Sequence, residues 1–186
     1  MDISELDARA LHDLVPIVEA LTDADLGAPT PCIGWQVRDL LQHMNSEHEA
    51  VSELLLPESA VLDADPRKAF GQIISRWITA TGAALTDGRA ISVPKFGTEF
   101  PAESLLSIHF ADMLVHRWDI AKALGVDPDL PEDLVGLALP IALSIPDTGP
   151  LRGVNGYAQA VPIPDSAPPT DRLVAALGRS PDWQRP

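Results

Sequence analysis

The chain has 186 residues, a net charge of −14 and a single cysteine, and these values exclude several classes of protein. Nucleic-acid binding needs clusters of Lys and Arg that neutralise phosphates, and the sequence contains no such cluster. The same acidic balance disfavours anionic membrane surfaces. One cysteine allows no internal disulfide and is typical of a reducing compartment, so we expect a cytoplasmic protein.

No targeting or membrane segment is expected. The N-terminal residues MDISELDARA are acidic and lack the basic start and apolar centre of a signal peptide. No apolar run approaches the 18 or so residues that a membrane span needs. A chain of this length is long enough to bury one hydrophobic core without disulfides or other staples.

Helical periodicity predicts three helices in the first half of the chain. Apolar residues recur every three or four positions over Ile3–Leu21, Trp35–Leu56 and Arg67–Thr86. Pro16 interrupts the first stripe, and we expect a kink there.

The second predicted helix carries polar side chains on its apolar side. His43 lies at the edge of the apolar face and Glu47 lies on it. A buried carboxylate is costly unless it is paired. Glu47 is therefore a candidate general base or a partner for an imidazole. A salt bridge to Arg38 or Arg76 at the rim of the fold explains it equally well.

The stretch Ser104–Gly125 is the strongest helix prediction. It follows a loop with a short strand at Ala90–Val93, contains no proline, and places Gly125 where a left-handed cap would end it. His109, Asp112 and His116 fall within an arc of about 60° on its apolar side. A metal ion is one partner that would offset their burial, although a hydrogen-bonded core histidine is the commoner role for one imidazole.

The C-terminal third is rich in proline and glycine. A fifth helix is predicted over Pro131–Ile145, with a break at Pro140. The stretch VNGYAQAVPIP (154–164) predicts two short strands. A short helix follows over Asp171–Gly178, with Thr170 as its N-cap.

Four long amphipathic helices with connections of moderate length predict an all-α four-helix bundle. We expect residues 1–127 to form this bundle and residues 128–186 to form a C-terminal extension packed on it as one compact domain. Metal sites in bundles are built from facing helices, so a third ligand should come from another helix. His43 is the best-placed imidazole outside the fourth helix.

Two motifs resemble a known superfamily. TPCIGWQVRDLLQHM (Thr30–Met44) and DMLVHRWDIAKALG (Asp112–Gly125) resemble the metal-binding DinB-like proteins, most closely the branch with the metal-binding domain of mycothiol-dependent maleylpyruvate isomerase. The tail, Ala160–Trp183, is similar to small actinobacterial proteins of that branch. The resemblance implies a DinB-like bundle that holds a divalent ion, zinc or nickel, through His43, Asp112 and His116.

Position 112 departs from the pattern of the resemblance, because relatives carry Glu or His there. His109 lies one turn before Asp112 and is an alternative ligand. However, His109 and His116 are about 10 Å apart along the helix axis, whereas residues four apart stack on one face. We therefore predict Asp112 as the partner of His116.

The resemblance implies that a low-molecular-weight thiol, such as mycothiol or bacillithiol, binds at an open position of the ion and adds to an electrophilic substrate. The leading hypothesis is a metal-dependent thiol transferase or isomerase. The alternative is a non-catalytic metal-binding or stress-response module, with which a homodimer is compatible. In that case His109 would close the fourth position of the ion.

Two other residues have competing interpretations. Cys32 would need a lowered pKa to act as a nucleophile, and a buried thiol in a tight turn is favoured instead. Asp119 lies near His116 and is placed to accept the second N–H of a metal-bound imidazole. A salt bridge from Asp119 to Arg117, Lys122 or Arg152 is the structural alternative.

Overall fold

Four long helices form the first part of the molecule. The computed structural model describes residues 1–153 and 156–186. In it, α1 spans Ile3–Glu19, α2 Val37–Leu55, α3 Pro66–Thr86 and α4 Ala102–Leu124. The predicted helices are thus present, and their ends differ from the predicted ones by two residues or fewer.

Local sequence signals explain where these helices begin and end. Asp2 and Glu5 form a reciprocal capping box at the start of α1. Gly125 adopts φ 70° and ends α4 with the predicted left-handed cap. Pro16 lies inside α1 without ending it, so the helix continues for three residues beyond the proline.

A small sheet modifies the all-α prediction. β1 spans Ala90–Val93, as predicted, and pairs antiparallel with β2 at Thr98–Pro101. The turn between them contains Gly97 at φ 61°, a backbone conformation that glycine adopts easily. The fold is therefore mostly helical, with one two-stranded hairpin between α3 and α4.

Two further helices follow α4. Helix α5 spans Glu132–Ser144 and continues through Pro140, so the predicted break is wrong. Helix α6 spans Pro169–Ala176 and starts with a proline at its first turn, so Thr170 is not its N-cap. Of the stretch predicted as two strands, residues 154 and 155 lie outside the described residues, and residues 156–164 form no strand.

One hydrophobic core connects these helices. Helix α1 packs against α3 and α4, α2 packs against α3, and α5 contacts both α4 and α6. Core side chains come from all six helices, among them Leu11, Leu40, Phe70, Phe110 and Leu173. None of the helices in the described residues combines the length and apolar character that crossing a membrane requires. The division between residues 127 and 128 stays a prediction.

Candidate metal centre

A cavity of about 530 Å³ lies between α2, α4, the hairpin and the C-terminal segment. His43, Asp112 and His116, the three predicted metal ligands, all line it, and so does Glu47. Helix α2 supplies His43 and Glu47, and α4 supplies Asp112 and His116. The fold therefore brings the predicted site residues to one cavity.

His116 is held between two carboxylates. Its Nδ1 lies 3.1 Å from Asp119 Oδ2 and its Nε2 lies 3.3 Å from Asp112 Oδ2. An ionised carboxylate only accepts hydrogen bonds, so Nδ1 donates to Asp119 and Nε2 faces Asp112. Within the described residues, neither His116 Nε2 nor Asp112 Oδ1 has a hydrogen-bond partner, although both atoms are buried. Buried polar atoms without partners are uncommon and call for a ligand or a solvent molecule.

The electrostatics of this pair require a positive charge at the imidazole. Burial lowers the pKa of His116, but Asp112 and Asp119 outweigh it and raise the pKa to about 9. Burial likewise opposes ionisation of Asp112, yet His116 and Arg179 hold the pKa of this carboxyl far below its usual range. A proton on Nε2 satisfies this demand, and a metal ion satisfies it equally well.

His43 approaches the pair from α2. Its ring centroid lies 5.8 Å from that of His116, with the rings edge to face. Burial, followed by the charge of His116, lowers the pKa of His43 to about 4. The ring is therefore neutral near pH 7, and a neutral imidazole is the form that binds metal.

The three predicted ligands do not form a ready-made coordination sphere. Across residues 1–153 and 156–186, no three His, Cys, Asp or Glu side chains meet closely enough to hold an ion as they stand. Asp112 and His116 are in contact at 3.3 Å, whereas the ring centroid of His43 lies 5.8 Å from that of His116. The assignment of His43, Asp112 and His116 as metal ligands stays a prediction.

Glu47, the candidate base, lies at the cavity mouth. Its Oε2 is 3.3 Å from Lys95 Nζ, and its Oε1 is 3.9 Å from His43 Nδ1, too far for a hydrogen bond. The predicted pairing with Arg38 or Arg76 is wrong, because Lys95 from the hairpin turn is the partner. Arg76 instead pairs with Glu49, 2.8 Å away.

A separate polar cluster occupies the inner wall of the cavity. His109 Nδ1 lies 2.5 Å from Asp7 Oδ1, and its Nε2 lies 2.7 Å from His48 Nε2. Trp77 Nε1 donates to the other oxygen of Asp7 at 2.9 Å. Both ring nitrogens of His109 are thus engaged away from His116. The helix brings Asp112, rather than His109, to His116, in agreement with the spacing argument.

A buried guanidinium supports the carboxylate that holds His116. Arg179 donates from Nη2 to Asp119 Oδ2 at 2.9 Å and from Nε to Asp119 Oδ1 at 3.3 Å. Asp119 is fully buried and Arg179 is nearly so. Burial raises the pKa of Asp119, but Arg179 and His116 together hold the pKa below its usual value. The predicted role of Asp119 as acceptor of an imidazole N–H agrees with this geometry.

Cys32 belongs to the same cluster. Its thiol lies 3.4 Å from Asp119 Oδ2 and accepts a hydrogen bond from Arg179 Nη2 at 3.2 Å. Burial and the charge of Asp119 raise the pKa of Cys32 to about 12. The thiol is therefore protonated at neutral pH, which agrees with the interpretation of a buried, unreactive cysteine.

The amino-acid sequence of the chain matches a known protein family. The family of the mycothiol maleylpyruvate isomerase N-terminal domain matches residues 8–121. The chain belongs to this family. The matched residues include His43, Asp112 and His116, so the family domain carries all three predicted ligands.

Two curated relatives of this family member come from Mycobacterium tuberculosis. They are the uncharacterised proteins Rv0738 of strain H37Rv and MT0763 of strain CDC 1551. Each is 30% identical over 186 residues, which cover 97% of this chain and 99% of the relative. No solved structure gives a significant match.

Residues outside the family match also contribute to the cavity. Tyr157 and Arg179, from the C-terminal segment, also line the cavity. Burial and the neighbouring Asp112 carboxylate raise the pKa of Tyr157 well above its usual value, so its hydroxyl stays protonated. Gly178 adopts φ 82°, and a Cβ there would lie 2.8 Å from Ala158, so glycine lets the chain turn tightly before Arg179.

Sequence reasoning missed Arg179 and Tyr157. Arg152, which the sequence offered as a salt-bridge partner of Asp119, donates instead to the carbonyls of Ala158 and Ala176. Arg179 follows a predicted helix end, and no periodicity or spacing marks it as facing the cavity.

Proposed function

We propose that this family member binds a divalent metal ion through His43, Asp112 and His116 and uses it to activate a small thiol. The proposal includes a DinB-type bundle formed by α1 to α4, in which α2 and α4 face each other across the ion. The observation that carries it is the contacting pair of Asp112 and His116, in which His116 is buried and Asp112 is partly buried. Each has a polar atom without a hydrogen-bond partner in the described residues, and both face the cavity.

The donor set fits such an ion. Two imidazole nitrogens and one carboxylate oxygen form the three-ligand set of catalytic zinc sites, and imidazole also suits nickel. Asp119 accepts the Nδ1–H of His116 and so leaves Nε2 as the donor atom. Metal-bound histidines commonly have a carboxylate or carbonyl in this position.

An ion in this position would lower the pKa of a thiol that binds to it and would supply a thiolate at neutral pH. The chain provides the surroundings for that chemistry. Asp119 orients His116, apolar side chains of the cavity can pack against the substrate, and Glu47, which also lines the cavity, can accept the proton of the thiol. Addition of the thiolate to an electrophilic double bond would form one C–S bond and break the π bond, and the electron pair released on the neighbouring atom would take up the thiol proton, so the reaction needs no redox partner.

The position of His109 favours this catalytic proposal over a closed, purely structural metal site. His109 was the candidate for a fourth ligand. Its two nitrogens contact Asp7 and His48, so it does not close the side of Asp112 and His116 that faces the cavity. An open position beside a cavity is typical of catalytic sites.

Cobalt substitution tests the proposal. The purified protein should bind one Co²⁺ per chain, and the double variant His43→Ala/His116→Ala should bind none. Addition of mycothiol, bacillithiol or a simple thiol should produce a sulfur-to-cobalt charge-transfer band. Retention of one ion by the double variant would refute the ligand assignment. A cobalt spectrum that no thiol perturbs at millimolar concentration would leave the non-catalytic metal-binding module as the function.

A further inference from the structure

The cavity beside the proposed metal centre is lined by both polar and apolar side chains. His43, Asp112, His116 and Tyr157 form the polar group at the proposed metal centre. We infer that the natural ligand is an uncharged molecule with one metal-seeking donor atom and an aromatic or aliphatic body that fills the rest of the cavity. This inference rests on the proposed metal centre for the donor atom only.

Apolar side chains from three elements form the body of the cavity. Trp35 precedes α2, Leu105 and Ile108 come from α4, and Phe96 and Phe100 come from the hairpin. The rings of Phe96 and Phe100 pack edge to face with centroids 6.0 Å apart. Such a wall offers a ligand dispersion contacts and burial of apolar surface, but few hydrogen bonds.

The cations that line the cavity are already paired. Lys95 lies 3.3 Å from Glu47, and its ammonium group also sits 4.9 Å from the centre of the Phe96 ring. Arg179 is committed to Asp119 and to the carbonyl of Leu177. An anionic ligand would have to compete with Glu47 or Asp119 for one of these cations, inside a protein of net charge −14. The charge distribution therefore selects against a carboxylate-bearing body.

The size of the cavity fits a small organic molecule. Its volume of about 530 Å³ lies within the range of ligand pockets in proteins. Burial of one phenyl group in such a pocket should tighten binding by about 10- to 100-fold relative to a ligand without it. This difference is large enough to measure with ligands that share the same donor atom.

Three primary thiols separate the contributions of donor, apolar body and charge. They are 2-phenylethanethiol, 2-mercaptoethanol and 3-mercaptopropionate, titrated into the cobalt-substituted protein and followed by the charge-transfer band. We expect 2-phenylethanethiol to bind about 10- to 100-fold more tightly than the other two. Equal affinities, or tightest binding of 3-mercaptopropionate, would overturn the inference while leaving the metal centre intact.

A variant of a cavity-lining side chain and a matched control show whether the thiol binds in the cavity. Phe96→Ala should weaken 2-phenylethanethiol by about tenfold and leave 2-mercaptoethanol unchanged. Leu143→Ala removes an apolar side chain that is 53% exposed on α5 and does not line the cavity, so it should change neither affinity. Phe100→Ala is a second wall variant if Phe96→Ala does not fold. An equal loss of affinity in Leu143→Ala would show that the thiol binds elsewhere.

A metal-free measurement separates this inference from the proposed function. The uncharged fluorescent probe N-phenyl-1-naphthylamine should bind the metal-free protein with enhanced emission, and Phe96→Ala should reduce that emission. Probe binding without any cobalt binding would support the apolar cavity and refute the metal centre. Cobalt binding without probe binding would support the metal centre and refute the apolar ligand.

Discussion

Arg179 and Asp119 form a buried ion pair that joins the C-terminal segment to α4. Two nitrogens of the guanidinium contact the two oxygens of the carboxylate, at 2.9 and 3.3 Å. Asp119 in turn accepts the Nδ1–H of His116. A residue about 60 positions away in sequence thereby fixes the carboxylate that orients the central imidazole of the site.

We expect Arg179→Met to destabilise the protein by about 3–5 kcal/mol, because it leaves the Asp119 carboxylate buried without its cation. We also expect it to weaken cobalt binding by about 10- to 100-fold, since the carboxylate that supports the proposed ligand His116 loses its own partner. Thermal unfolding and a cobalt titration measure the two effects.

Arg172→Met is the matched control for this variant. Arg172 lies in α6, is partly exposed, and contacts an exposed Asp165 at 3.6 Å. Its loss should change stability by less than about 1 kcal/mol and leave the cobalt affinity unchanged. If Arg179→Met matched this control in cobalt affinity, Arg179 would be a structural residue with no role in positioning His116.

The choice between Asp112 and His109 as ligand gives a second prediction. Asp112→Asn removes the negative charge that faces His116, so the cobalt affinity should fall by at least about tenfold. His109→Gln changes a side chain one turn away and keeps a polar group beside Asp7, so metal content should stay near one ion per chain. Elemental analysis of both purified variants decides the question. A larger loss in His109→Gln would reverse the assignment.

Helical periodicity predicted the main elements because each long helix has an apolar stripe of its own. Periodicity did not predict features that depend on contacts between elements. Helix α5 continues through Pro140 because packing against α4 and α6 holds the helix together. The strand at Thr98–Pro101 is short and contains a charge and a proline, so its pairing with β1 was not visible in its composition.

The site was predicted to the extent that it lies on the two periodic helices α2 and α4. Spacing alone placed Asp112, His116 and Asp119 on the same side of α4, and the structure brings them together. Arg179 and Tyr157 reach the cavity through the fold of a proline-rich segment, which carries no periodic signal. Lys95 escaped notice for the same reason, because its position depends on the hairpin turn.

The environment of Cys32 predicts that its thiol reacts slowly with alkylating reagents. Its pKa of about 12, against an ordinary value of 9.0, lowers the thiolate fraction at pH 8 by roughly a thousandfold. Reaction with iodoacetamide at pH 8 should therefore be at least that much slower in the folded protein than in guanidinium chloride. A folded-state rate within tenfold of the unfolded-state rate would show that Arg179, and not burial, controls this thiol.

The hydrogen bonds of the Asp7, His109 and His48 cluster determine how many protons the cluster carries. His48 Nδ1 lies 2.5 Å from the carbonyl oxygen of Met44, which can only accept, so this nitrogen donates. The His109–His48 contact needs one proton, and the Asp7–His109 contact needs another. Three hydrogen bonds thus require three protons, one more than an ionised carboxylate and two neutral imidazoles carry.

The extra proton lies in the contact between Asp7 and His109. Burial and the neighbouring His109 hold the pKa of His48 well below its usual value, so His48 is neutral. His109 Nδ1 and Asp7 Oδ1 are 2.5 Å apart, and the proton joins these two atoms. The titratable groups facing the cluster come from α1, α2 and α4, and Trp77 of α3 adds a neutral donor to Asp7.

Asp7→Asn should remove this proton without breaking the hydrogen bonds. The amide NH₂ can donate to His109 Nδ1, His109 Nε2 can donate to His48, and the amide oxygen can accept from Trp77. We therefore expect Asp7→Asn to lower the free energy of unfolding by about 1 kcal/mol or less. Asp7→Ala cannot replace these contacts and should cost about 3–5 kcal/mol in thermal unfolding. Equal losses of stability in Asp7→Asn and Asp7→Ala would contradict the proton count, because the amide would then have failed to replace the contacts of the protonated Asp7–His109 pair.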